Sequence, residues 1–473
     1  MTFNSAVFFA FLAAFLPPYF ALSSWRAKKI WLLIGGLVFY GWFNPAYLGL
    51  VFLSTTIDFV CVRVMSTRDD ARTRKLALTT SVISNLTILA TFKYFDFFTG
   101  SVKGALHAVG FDVATPTLAL VLPIGISFYS FEAISYAVDA YKKRTTVARS
   151  YLDLLLFITF FPHLVAGPIV RARDFLPQLE TPRRITSEGV ATALQWIVVG
   201  YFFKIGVADN LSSSVDRVFT APGTASTTEA WLGTLYFSVQ IFCDFAGYTL
   251  IARGLAKLIG FDLTSNFEDP YIARGFSDFW KRWHISLSSW LRDYLYIPLG
   301  GNRGGRRGTY RNLMITMLLG GLWHGAAWTF VAWGALHGTY LVVEHALRVR
   351  GGPKPAAEAK RPLLLDLAHI AFTFLLVLVA WVFFRAASLS DAFIVLRAMF
   401  WVSSFKMTLP AKAMLKDGIW LVPIALYYVH AYGRERGYRF ALAPVPRGVA
   451  IGVLAFITLV CREVSDAFIY FQF

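Results

Sequence analysis

The sequence has few charged residues and few cysteines. Only 15% of its 473 residues are Asp, Glu, Lys or Arg, against about 25% in average soluble proteins. This shortage excludes an ordinary soluble enzyme and an intrinsically disordered chain. The three cysteines, Cys61, Cys243 and Cys461, are odd in number and widely spaced, which excludes a disulfide framework and a CxxC metal pair.

Apolar residues dominate instead. They make up 56% of the chain, and the mean hydropathy is +0.55. Yet 45 Lys and Arg against 28 Asp and Glu leave a formal charge of +17, which a membrane protein must keep in its loops. The composition therefore predicts an all-α polytopic membrane protein with basic connections.

Apolar runs follow one another along the chain, at 6–22, 30–42, 46–62, 76–98, 118–140, 152–170, 190–208, 230–245, 248–261, 313–331, 332–347, 363–384, 419–432 and 449–468. Several are shorter than the ~20 residues of a full span or contain Pro or Gly, so re-entrant and interfacial helices are expected beside the crossings. We predict about eleven transmembrane helices in one membrane domain over 1–473, with 348–362 as a flexible cytoplasmic loop.

Basic residues concentrate in connections that we assign to the cytoplasm, at 26–29, 63–75, 141–149, 171–184, 274–311, 348–361 and 434–447. By the positive-inside rule this places the N-terminus outside. The assignment requires 152–170 to re-enter and 313–347 to form a hairpin. Basic charge spread over one membrane face indicates lipid headgroups as neighbours, and we expect no nucleic-acid partner.

His324 is the first candidate for chemistry, in the segment G-G-L-W-H-G, where no charged residue occurs between Arg311 and Glu344. It lies roughly 20 Å along a helix from Arg311, near the middle of a bilayer core. A desolvated imidazole stays neutral near pH 7 and can act as a general base. The alternative is a core histidine that hydrogen-bonds between helices.

His284 is the second candidate. Trp280, Trp283, His284, Leu287, Leu291 and Tyr294 form one stripe at helical spacing, which predicts a continuous Trp-rich interfacial helix at the cytoplasmic surface. His284 faces the apolar side of that helix. The alternative is a histidine that caps a helix or supports another residue.

Other polar positions are weaker candidates for a catalytic or binding role. The Gly-rich basic run 300–308 lacks the ending of a phosphate loop and follows no strand, so lipid headgroups or an anionic donor are its expected partners. Asp244 needs a cation, for which Arg253 is the candidate nearest in sequence. Glu132, Asp139 and His163 are interpreted as structural polar ties.

The long motif R-W-H-I-S-L-S-S-W-L-R-D-Y-L-Y-I-P-L-G-G-N-R, followed downstream by G-G-L-W-H-G, resembles the membrane-bound O-acyltransferase superfamily. Within it, the chain is most similar to the alginate O-acetyltransferase membrane components. Supporting stretches are F-F-P-H-L-V-A-G-P-I-V-R, N-F-E-D-P-Y and the final F-I-Y-F-Q-F. The resemblance implies a funnel-and-tunnel architecture, with His324 as the catalytic histidine and His284 as the second functional histidine.

The resemblance also implies an acyltransferase of the bacterial inner membrane that passes acetyl groups to a periplasmic acetylation partner or an extracellular polysaccharide. The donor is expected to be a co-substrate, acetyl-coenzyme A or an acyl carrier protein, with no tightly bound cofactor and no metal. Substrate contacts are predicted for Trp323, Asn266, Ser286, Arg292, Asp293 and Asp244, and donor contacts for Arg303, Arg306 and Arg307. A D-alanyl or lipid acyltransferase, or a transporter with proton-relay histidines, remain alternatives.

Overall fold

The computed structural model describes residues 1–165, 167–350, 362–401, 414–438 and 444–461. These residues are largely helical and contain no strand. The α-helices in chain order are α1 Ala6–Ala21, α2 Trp25–Gly41, α3 Tyr47–Thr67, α4 Ala71–Leu89, α5 Phe95–Ala108, α6 Ile126–Tyr141, α7 Tyr151–Thr159, α8 Phe161–Leu164, α9 Ala172–Phe175, α10 Ser187–Tyr201, α11 Asp209–Thr220, α12 Thr227–Leu258, α13 Phe276–Arg282, α14 Ile285–Leu291, α15 Gly305–His324, α16 Trp328–Arg350, α17 Leu363–Arg385, α18 Leu389–Phe400, α19 Leu421–Glu435 and α20 Pro444–Val460.

Several of these helices join through π-helical turns, and together they confirm a membrane protein. Within the described ranges, five continuous helices are long and apolar enough to cross a bilayer: Tyr47–Thr67, Ala71–Ala108, Ser187–Thr220, Thr227–Leu258 and Leu363–Arg385. The count of about eleven crossings, the outside N-terminus and the single domain over 1–473 stay predictions. The predicted loop at 348–362 and the final F-I-Y-F-Q-F fall almost wholly outside the described residues.

The described chain divides into two compact units, 1–197 with 249–264, and 198–248 with 265–473. In the first unit, the buried carboxylate of Asp58 on α3 accepts hydrogen bonds from Ser81 and Asn85 on α4. There too, Glu132 Oε1 lies 3.0 Å from His163 Nδ1 and accepts from the Val170 N–H. The contact between Glu132 and His163 was not predicted, although both residues were interpreted as structural. His163 Nε2 also lies 2.9 Å from the Phe157 carbonyl oxygen, and α7 ends at Thr159, as expected of a break at Pro162.

Two predicted boundaries were wrong. The runs 230–245 and 248–261 form one helix, α12, because Gly247 continues the helix against a close neighbour; a Cβ there would lie 2.6 Å from the Gly200 carbonyl oxygen. The hairpin predicted over 313–347 is present, but its turn lies at 325–327 rather than near residue 331. Gly325 has an extended backbone, which ends α15 directly after His324.

Candidate active site

His284 lies at a break between two short helices. Its backbone is left-handed, with φ 43° and ψ 54°, a conformation that His, Asn and Asp adopt more readily than most residues. The continuous helix predicted through residues 280–294 was therefore wrong, since α13 ends at Arg282 and α14 begins at Ile285. The periodicity of apolar residues does not reveal a single left-handed residue between two consecutive helices.

Asn266 caps the helix that follows His284. Its carbonyl oxygen accepts from the Ile285 N–H at 2.9 Å, and its Oδ1 accepts from the Ser286 hydroxyl at 2.6 Å and the Ser286 N–H at 3.4 Å. These bonds satisfy donors that the first turn of α14 leaves open. A distant segment thus holds the backbone on one side of His284. Substrate binding by Asn266 and Ser286 stays a prediction.

His324 is the last residue of α15, in a tightly packed helix pair. A Cβ on Gly321 would lie 2.2 Å from the Phe330 carbonyl oxygen, and one on Gly334 would lie 2.4 Å from the Met317 carbonyl oxygen. Only glycine fits such a backbone approach. These glycines therefore let α15 and α16 pack directly against each other.

The two candidate histidines meet. Their ring centroids lie 6.2 Å apart, and the Trp323 ring lies 5.8 Å from His284 and 5.1 Å from His324. His284 is fully buried, and His324 is 4% exposed. The structure therefore brings together three residues that the sequence analysis named separately.

Aromatic rings surround this pair. Trp333 and Phe384 lie 5.1 and 5.2 Å from the His324 ring, and Phe245 lies 4.7 Å from His284. Burial lowers the pKa of His284, which sits outside the long apolar helices, to about 3. Its imidazole is consequently neutral at pH 7.

Asp244 lies on α12 in the same unit, and its cationic partner is Lys204. The Lys204 Nζ is 2.7 Å from Asp244 Oδ1 and 2.8 Å from Asp209 Oδ1, and all three side chains are buried. The suggestion of Arg253 as partner was wrong: in the first unit, Arg253 packs over Trp196 and its Nε donates to the Leu263 carbonyl oxygen. Lys204 occupies a π-helical turn far from Asp244 in sequence, so proximity along the chain did not reveal it.

A cavity of about 310 Å³ lies among the same helices, and neither His284 nor His324 is among its lining residues. Its lining residues come from α13 to α16 and are Ser277, Trp280, Lys281, Ile285, Ser288, Ser289, Leu291, Arg292, Tyr296, Leu313, Thr316, Met317 and Leu341. Ile285 directly follows His284, and Met317 precedes His324 by roughly 10 Å of helix. The wall of the cavity is mostly apolar, and it contains two cationic side chains, Lys281 and Arg292.

The remaining predicted residues lie between the end of α14 and the first turn of α15. Arg292 lines the cavity and pairs with Asp293 at 2.8 Å. Arg303, Arg306 and Arg307 are exposed and outside the cavity lining. In the described part of the chain, no group of three His, Cys, Asp or Glu side chains could hold a metal ion.

One buried histidine of this region escaped the sequence analysis. His337, on α16, is fully buried, and its ring lies 4.8 Å from Trp333. The available signal was the i, i+4 spacing of Trp333 and His337, which places both on one helix face. Attention to the stronger G-G-L-W-H-G motif passed over it.

Comparison with known proteins decides the family. Residues 66–360 match the family model of MBOAT, the membrane-bound O-acyltransferase family. The chain belongs to the membrane-bound O-acyltransferase family. It is thus an acyltransferase, as the resemblance implied, and an integral membrane protein, as the composition predicted.

Relatives of this membrane-bound O-acyltransferase have named activities. It is 41% identical to a probable alginate O-acetylase AlgI of Azotobacter vinelandii over 95% of this chain and 88% of that one. It is 36% identical to a peptidoglycan O-acetyltransferase of Helicobacter pylori over 84% and 80%. A teichoic acid D-alanyltransferase of Streptococcus thermophilus is 30% identical over 52% and 64%. The relatives therefore share acyl transfer and differ in acyl group and acceptor.

Proposed function

We propose that this protein transfers acetyl groups from a cytoplasmic thioester to a periplasmic acetylation partner or directly to an extracellular polysaccharide, with His324 as general base. The observation that carries the proposal is the 6.2 Å separation of the His284 and His324 rings in a buried aromatic enclosure. Such an enclosure keeps an imidazole neutral and excludes water from an activated acyl group.

The chemical step needs only groups at this site. Neutral His324 takes the proton of the acceptor hydroxyl as the oxygen attacks the thioester carbonyl carbon. A tetrahedral oxyanion forms, collapses, breaks the carbon–sulfur bond and releases a thiolate. The imidazolium of His324 returns its proton to the thiolate, so an ester and a thiol leave and the enzyme is unchanged. Trp323, the Asn266 side-chain amide and backbone N–H groups are the candidates for oxyanion stabilisation, whereas the Ser286 hydroxyl, also predicted for this role, already donates to Asn266 Oδ1.

His284 supports this step from the neighbouring break. Its ring packs edge-on to His324 at an interplanar angle of 60°, and its neutral state leaves one nitrogen as a donor and one as an acceptor. We assign to it the orientation of His324 or of the acceptor hydroxyl. The Asn266 cap fixes the backbone that carries it.

The donor approaches, in this proposal, through the cavity whose wall includes Ile285, the residue after His284. Its apolar wall suits an acyl chain or a thioester arm, and Lys281 and Arg292 suit an anionic carrier. Arg303, Arg306 and Arg307 stand roughly 30 Å of helix from His324. Their part is to attract the donor from solution, since they cannot touch the acyl group.

Acetyl transfer is preferred to D-alanyl transfer because the relatives that cover most of this chain are O-acetylases or O-acetyltransferases. The D-alanyltransferase relative covers about half of it. Placement in a bacterial inner membrane with the N-terminus outside belongs to the same proposal. So does the use of acetyl-coenzyme A or an acyl carrier protein as donor.

Reconstituted vesicles test the proposal. Protein of known orientation receives acetyl-labelled coenzyme A or carrier protein on one side and a polysaccharide, with or without a periplasmic acetyltransferase, on the other. We expect label to reach the far-side acceptor with wild-type protein and with His369→Ala, whose ring is exposed, and to be absent with His324→Ala. Transfer that occurs only when donor and acceptor share one side would refute the cross-membrane route.

A further inference from the structure

The His337 ring lies between α13, the helix that precedes His284, and the Trp333 ring, which packs on His324. Its ring stacks on Phe279 at 5.9 Å and lies 5.1 Å from Trp280, both on the short helix α13 that precedes His284. On the other side, the Trp333 ring at 4.8 Å also contacts His324 at 5.1 Å. One side chain therefore contacts both the helix before His284 and the indole that packs on His324.

Among the described residues, four buried polar atoms around His337 have no hydrogen-bond partner. Neither ring nitrogen of His337 has a hydrogen-bond partner among the described residues, and the same holds for the buried Nε1 atoms of Trp280 and Trp333. Buried polar groups are nearly always hydrogen-bonded, by protein or by ordered water. A phenylalanine would fill the space of the ring without this penalty, so packing alone does not account for a histidine here.

We propose that His337, Trp280 and Trp333 bind one buried water molecule, and that His337 thereby acts as a positioning residue for acyl transfer. The water accepts from the two indole N–H groups and donates to the unprotonated nitrogen of His337, which gives it three polar partners, the usual number for a buried water. The ring centroids of these three side chains are 4.8 to 5.7 Å apart. This water bridge fixes the position of the Trp333 ring relative to the His324 ring.

The inference rests on the proposed role of His324, and its test separates the two. Residue substitutions are compared for labelled acetyl transfer, with kcat and the donor KM measured apart. If His324→Ala retains transfer, the proposed function fails. If His324→Ala is inactive and His337→Phe is normal, only the positioning role fails.

His337→Phe keeps the ring and removes both nitrogens. We expect kcat to fall about tenfold or more, because small displacements of catalytic groups are costly, with the donor KM changed less than about twofold. His337→Asn retains a donor and an acceptor and should recover part of the lost rate. The matched control is His345→Phe on the same helix, whose ring packs on Tyr310 and which should transfer at the wild-type rate.

A double-mutant cycle with Trp280→Phe addresses the water directly. If the two side chains share one water, the double variant His337→Phe/Trp280→Phe loses little more rate than either single variant. Independent, multiplying losses contradict the shared water, as does a wild-type kcat in His337→Phe. Should His337→Phe fail to fold, His337→Leu, which also lacks both nitrogens, decides: a wild-type kcat overturns the proposal, and a reduced kcat at unchanged donor KM supports it.

Discussion

His284 and His324 lie on different helices, yet their ring centroids are 6.2 Å apart. Two features of the backbone bring these rings close together. A left-handed residue lets α13 turn into α14 at His284, and an extended Gly325 ends α15 directly after His324. Each histidine is therefore held at a helix end, where its ring lies beside that of the other histidine.

The first prediction separates the backbone role of His284 from its chemical role. His284→Asn and His284→Gly both tolerate left-handed backbone but remove the imidazole. We expect both variants to fold and to lose transfer by about 100-fold, the scale of lost acid–base assistance. The measurement is labelled acyl transfer at matched amounts of folded protein. Near-normal transfer in His284→Gly would assign His284 to backbone geometry alone.

The second prediction concerns acid stability. His284 has a folded pKa of about 3, below its value in the unfolded chain, so the unfolded state binds the extra proton first. Stability is full above about pH 6.5 and falls as the pH drops toward 3, with a loss of about 2 kcal/mol at pH 5.

Thermal unfolding of the solubilised protein at pH 7.5 and pH 5 measures this loss. His284→Gln lacks the titrating group and should show a smaller acid shift of the unfolding midpoint than the wild type. Equal acid shifts in the two proteins would show that His284 contributes nothing to this pH dependence.

The third prediction tests the buried ion triad of Lys204, Asp209 and Asp244. Lys204→Met leaves two buried carboxylates without the cation that lies 2.7 and 2.8 Å from them. Breaking a buried pair in this way costs about 3–5 kcal/mol. We expect a large drop in the thermal unfolding midpoint.

Lys257→Met is the matched control, because the Lys257–Asp262 pair is exposed and such pairs contribute about 0–1 kcal/mol. A Lys204→Met protein as stable as the control would mean that the triad does not support the fold.

The fourth prediction concerns donor attraction by the exposed Arg303, Arg306 and Arg307. Replacing all three with Gln should raise the apparent donor KM and weaken its salt dependence, since exposed charges act over a Debye length of about 10 Å at 0.1 M salt. The control changes Arg68, Arg72 and Lys75, also exposed, to Gln, and so alters net charge equally. An equal donor KM in the two triple variants would leave the arginines with membrane orientation alone.

The sequence predicted the site better than it predicted the path of the chain through it. His324 was named in advance because no charged residue occurs between Arg311 and Glu344, and His284 because it lies on a Trp-rich stripe at helical spacing. The family resemblance added Trp323. The break at His284 was missed because hydrophobic periodicity is insensitive to a single left-handed residue. The runs 230–245 and 248–261 were predicted as separate, whereas α12 continues through Gly247, which permits a close helix contact.

The sequence also did not reveal which residues become neighbours through tertiary packing. Lys204 and Asp244 are joined by tertiary packing, which no local pattern encodes. His337 shares a helix face with Trp333, but its neighbours Phe279 and Trp280 come from another helix. The contacts that give these residues their setting become visible only once the helices are packed.

The central claim is that His324 is the general base of acyl transfer, and single-turnover transfer from a labelled acetyl thioester tests it most directly. We predict that His324→Ala folds, binds the donor and lowers the transfer rate by about 100-fold or more, while exposed His369→Ala transfers at the wild-type rate. A folded His324→Ala protein that transfers acetyl groups within about threefold of the wild-type rate would contradict the claim, since removal of a general base costs far more than that.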